Sequence, residues 1–66
     1  MTNWNAIIEE VGKDNLVNFV KGELSGSHLY DLARGTEVSG QVRNLVRTGG
    51  VQRARKIARE ALRRRS

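Results

Sequence analysis

Apolar residues recur at intervals of three and four along this chain, and no segment alternates over four or more residues. A period near 3.6 puts such residues on one face of a helix, whereas a half-buried strand needs a period of two. Trp4, Ile7, Ile8 and Val11 follow the i, i+3, i+4, i+7 pattern of a single helical face. No proline interrupts the chain; glycine and small polar residues divide it instead. The pattern predicts an all-α fold, a compact bundle of four to five short helices ending in a basic one.

The divisions set the expected helix limits. Thr2 or Asn3 caps the first helix, and Gly12 ends it in a left-handed conformation. Asp14 offers a cap for a second helix carrying Leu16, Val17, Phe19 and Val20. The alternative is one helix through residue 24 that tolerates Gly12 at about 1 kcal/mol. Ser25-Gly26-Ser27 reads as a loop leading into a short helix, His28 to Arg34, stopped by Gly35. Thr36-Glu37-Val38 reads as a tight connection, with Ser39 capping a helix from Gly40 to Thr48. Gly49-Gly50 breaks the chain, and a last helix runs from Val51 to Arg65. The expected core is Trp4, Ile7, Ile8, Val11, Leu16, Phe19, Val20, Leu29, Leu32, Val42, Leu45, Val46, Ile57 and Leu62.

With 66 residues the chain makes one domain (1–66), near the lower limit for a self-supporting core. It has no cysteine and one histidine, so neither a disulfide nor a thiolate or histidine-rich metal site can staple it. A chain this short has little room for a deep catalytic cleft. Glu9 and Glu10 are adjacent and point apart on a helix, a poor acid–base pair, and His28 has no nucleophile or second ligand beside it. The expectation is a non-enzyme without cofactor. No apolar run approaches the roughly 18 residues of a membrane span, and the early acidic residues do not resemble a signal peptide. A soluble protein of the cytoplasm, nucleoid or virion interior is expected.

Charge carries the functional signal. Residues 1–38 hold three basic side chains against six acidic ones, a net of −3, and residues 39–66 hold nine against Glu60 alone, a net of +8. One sign concentrated on one half suits a polyanion. In the last helix Val51, Ala54, Ile57, Ala58, Ala61 and Leu62 share one side. Arg53, Lys56, Arg59, Arg63 and Arg64 share the other, while Arg55 and Arg65 flank the apolar stripe. Arginine predominates, which favours phosphate because its planar fork bonds two oxygens. The bland alternative, a solubilising face favoured by the helix dipole, needs fewer cations than are present.

Two segments carry family resemblances. Residues 29–47, with Ala33 and Val38 at the small and apolar turn positions, resemble a helix-turn-helix motif. That resemblance implies a reading helix that projects Gln41, Arg43, Asn44 and Arg47 into a major groove, where arginine pairs with guanine and amides with adenine. Residues 45–57 resemble a helix-hairpin-helix motif, with Gly50, Ala54 and Ile57 at its second glycine, alanine and isoleucine and Thr48 at its first glycine. That resemblance implies backbone N–H groups at the Gly49-Gly50 turn contacting a phosphate. The alternatives are a solvated helical hairpin and a plain glycine cap. Together these observations predict a small accessory or regulatory DNA-binding protein, expected to dimerise so as to cover two half-sites. An RNA-binding module, or an assembly protein whose basic helix meets an acidic partner or packaged genome, is the alternative.

Overall fold

The structure, a computed structural model, describes residues 2–65. Four helices, α1 (Trp4–Val11), α2 (Lys13–Lys21), α3 (Gly26–Leu32) and α4 (Thr36–Arg65), make an all-α fold with no strand among the described residues. Asn3 caps α1 through its side-chain oxygen, which accepts the Ala6 N–H at 3.2 Å. The first helix does stop at Gly12, but with φ 90° and ψ 145° the residue is extended on the positive-φ side and not in the left-handed helical conformation expected. That turn occupies a single residue, so α2 resumes at Lys13 and Asp14 lies inside its first turn instead of capping it. A carboxylate there still complements the positive end of the helix dipole.

α3 begins and ends two residues before the expected limits of His28 and Arg34. Ser25 is its cap, with Oγ accepting the His28 N–H at 3.1 Å, and Ala33 rather than Gly35 closes it. Gly26 belongs to the helix and is buried there because two side chains from α4 press on it. A methyl group at Gly26 would lie 3.3 Å from Val46 Cγ2 and 3.4 Å from Val51 Cγ2.

The largest correction concerns residues 36–39. Thr36, Glu37 and Val38 form the first turn of α4, not a connection, and Ser39 does not cap a helix starting at Gly40. The reason lies in the apolar spacing. Val38 and Val42 stand four apart and are both buried, so extending the helix backward by one turn adds a core side chain. The Ser39 N–H donates to the Gly35 carbonyl at 2.7 Å, and its hydroxyl donates to the Ala33 carbonyl. The turn between α3 and α4 is therefore Ala33-Arg34-Gly35.

Gly50 breaks α4 into two arms, 36–49 and 51–65, with φ 78° and ψ 167°. Side chains disfavour that conformation, and glycine alone adopts it without strain. A straight helix of 30 residues would be about 45 Å long. The molecule measures 26 × 22 × 22 Å, so the bend folds the second arm back onto the body.

The core contains Ile7, Ile8, Val11, Leu16, Phe19, Leu29, Ala33, Val38, Val42, Ala54 and Ala58. Trp4, Val20, Leu32, Leu45, Val46, Ile57 and Leu62, expected inside, are half-buried instead. Alanines explain the exchange on the second arm. Ala54 and Ala58 retain 1% and 0% of their exposure, so the helix axis comes close and the bulkier Ile57 and Leu62 are left at the flanks.

Candidate nucleic-acid interface

The second arm of α4 separates its two faces cleanly. Ala54 and Ala58 seat it in the core, with Val51 and Leu62 packed alongside. Arg53, Lys56, Arg59, Arg63 and Arg64 are all exposed. At about 100° per residue these five span an arc of roughly 140° opposite the alanines. Glu60 shares that arc and is the one carboxylate on the arm. Among the described residues, no ion pair occupies Arg53, Lys56 or Arg59.

Two further cations of the arm are used by the fold. Arg55 is half-buried; its Nε–H donates to the Phe19 carbonyl at 2.9 Å, and its guanidinium lies 5.5 Å from the Phe19 ring centroid. Arg65 donates from a terminal nitrogen to Asn5 Oδ1 at 2.8 Å. Arg55 sits at the edge of the apolar stripe as its position requires, whereas Arg65, expected to flank the stripe, falls on the same side as the alanines one turn beyond Leu62 and reaches α1 instead.

The first arm treats its four candidate readers differently. Gln41 is half-buried, and its Oε1 accepts the Asn3 N–H, so it faces the start of α1 instead of solvent. Arg43 is exposed with its guanidinium 5.8 Å from the Tyr30 ring centroid, a cation–π placement. Asn44 and Arg47 are exposed. Thr48 is tied within the helix by a 2.7 Å bond to the Asn44 carbonyl. Gln41, Asn44 and Thr48 line one open depression with Thr2 and Leu45, away from Arg43 and Arg47. The structure brings Gln41 and Asn44 together in that depression and leaves Arg43 and Arg47 outside it. Gly49 remains helical, with the Arg53 side chain lying beside it, and Gly50 is exposed at the bend.

An open cleft of about 510 Å³ lies between the end of α2 and the second arm. Lys21, Arg55, Lys56 and Arg59 line it together with Gly22, Gln52 and Val20, and none of these carries negative charge. Lys21 joins this cleft from the acidic half, 35 positions from Lys56, a neighbourhood that the sequence does not show. No periodicity could have joined them.

Elsewhere the described residues offer no cluster of metal-binding side chains and no buried polar side chain. No helix is long and apolar enough to cross a membrane among the described residues. No family model matches the chain, and no curated protein or solved structure matches it either.

Proposed function

We propose that this chain is a small accessory protein that binds nucleic acid, with duplex DNA as the target, by neutralising backbone phosphates. The observation that carries the reading is the second arm of α4: five exposed cations on one arc, held rigidly by two fully buried alanines. An arm of 15 residues is about 22 Å long, comparable to the span of six or seven phosphates along one strand. Affinity then comes from charge and from arginine forks on phosphate oxygens. Sequence reading has weaker support, since Gln41 is engaged with α1 and Arg43 lies over the Tyr30 ring, which leaves Asn44 and Arg47 as the exposed candidates without such a contact. Binding is therefore assigned to the backbone and is sequence-independent.

The test is a salt titration of affinity for matched lengths of duplex DNA, single-stranded DNA and structured RNA. Each phosphate neutralised on duplex DNA contributes about −0.9 to the slope of log affinity against log salt, so five contacts give roughly −4 to −5. Duplex binding with that slope supports the reading. Preference for structured RNA would redirect it to an RNA-binding module. Salt-indifferent or absent binding at low salt would overturn it in favour of an acidic protein partner.

A further inference from the structure

Four cationic side chains around one cleft repel one another unless an anion joins them. Lys21, Arg55, Lys56 and Arg59 come from two helices and surround about 510 Å³ with no carboxylate among the lining residues. Solvated surface lysines and arginines ordinarily spread apart. Here Arg55 cannot, because its Nε–H is bonded to the Phe19 carbonyl and its guanidinium carbon lies over the Phe19 ring, 5.5 Å from the centroid. The Arg55 guanidinium carbon also lies 4.0 Å from where a side chain on Gly22 would begin, which places that group at the cleft wall. Its remaining N–H groups are consequently held in place before any ligand arrives, so less entropy is lost on binding.

The end of a helix normally repels anions because its last carbonyls point outward. At α2 two of them, Asn18 O and Phe19 O, accept hydrogen bonds from beyond the helix. The Gly22 N–H donates to Phe19 O at 3.1 Å and the Glu23 N–H to Asn18 O at 2.9 Å, with Gly22 left-handed at φ 90° and ψ 5°. Arg55 adds a second donor on Phe19 O. The Arg55 guanidinium therefore sets a positive charge against the negative end of the α2 dipole at the cleft wall.

We infer that this cleft is the anchoring subsite for one backbone phosphate of the duplex, with Arg55 as the preorganised fork, Lys21, Lys56 and Arg59 as surrounding charges and Gln52 as a neutral donor. The inference rests on the proposed function and adds a role for Lys21 that the second arm alone does not predict. A phosphate there bridges α2 and α4 and fixes the orientation of the arm on the strand.

Lys21→Ala is the informative variant, because Lys21 is exposed and lies outside the buried core. Arg34→Ala removes the same charge from the exposed turn before α4 and serves as its control. Lys21→Ala and Arg59→Ala should each make the duplex salt slope shallower by about 1, as expected for one lost phosphate contact. Arg34→Ala should leave it unchanged. If Lys21→Ala behaves like Arg34→Ala while Arg59→Ala lowers the slope, the cleft inference is overturned and the reading of the arm survives. A second measurement separates the two ideas when the wild type does not bind duplex at all. Titration with inorganic tripolyphosphate at constant ionic strength, followed by NMR, should shift the Gly22 amide and the Arg55 Nε–H in the wild type and much less in Lys21→Ala. Such shifts without DNA binding keep the anion site and discard the nucleic-acid reading; uniform or absent shifts discard the site.

Discussion

Arg55 shows how one side chain can be both packing and charge. Its stem crosses from α4 to α2, its Nε–H satisfies the Phe19 carbonyl, and its guanidinium covers the ring of the fully buried Phe19. A hydrogen bond from a charged donor contributes about 1.5–3 kcal/mol when its partner is poorly solvated, and a cation–π contact about 0.5–1 kcal/mol at a partly exposed site. Arg55→Ala should therefore destabilise the fold by about 2 kcal/mol, measured as a lowered urea midpoint with an unchanged slope. Arg55→Lys should recover part of the loss, because an ammonium reaches the carbonyl but cannot lie flat on the ring. An Arg55→Ala variant as stable as the wild type would mean that the bond is only incidental. The sequence placed Arg55 at the margin of the apolar stripe, which was enough to separate it from the five outward cations. It could not show the partner, since Phe19 lies 36 positions away on another helix.

At the scale of elements, what could be read in advance was the set of faces and most of the breaks. Gly12 and Gly50 end helices because each adopts a positive φ, and such positions announce themselves as glycines. The failures came where glycine served another purpose. Gly26 is a site of close approach under Val46 and Val51 rather than a loop, and Gly35 precedes a helix instead of ending one. Ser39 resembled a cap, yet the chain gains more by burying Val38 than by capping at Ser39, so α4 begins a turn earlier. The Gly50 bend decides whether the basic arm exists as a separate unit. Gly50→Ala demands a side chain at φ 78° and ψ 167°, a strain of about 1–3 kcal/mol. Relief by straightening α4 would pull Ala54 and Ala58 out of the core. The expected result is a lower melting temperature with helical circular dichroism retained below it. A rise in both helicity and melting temperature would show that the bend is dispensable.

At the scale of the whole molecule, charge segregation and size together set how the protein would occupy DNA under the proposed function. The acidic half, at −3, opposes close approach of its own surface to phosphate, and the basic half, at +8, favours it, so one orientation dominates. In that orientation the footprint is limited by the molecule's long dimension of 26 Å. With one base pair per 3.4 Å, a chain tiling the duplex without sequence preference covers about 7–8 base pairs. A symmetric dimer acting on two half-sites instead places its subunits about 10–10.5 base pairs apart, one helical turn. Stoichiometric titration of a labelled duplex of several turns, well above the dissociation constant and at low salt, distinguishes the two arrangements. If phosphate contacts carry the affinity as proposed, and with Gln41 turned toward α1, saturation at one chain per about 7–8 base pairs is expected, independent of base composition. Saturation in steps of two chains per pair of half-sites one turn apart, confined to particular sequences, would show that the exposed Asn44 and Arg47 read bases after all and that a dimer is the binding unit.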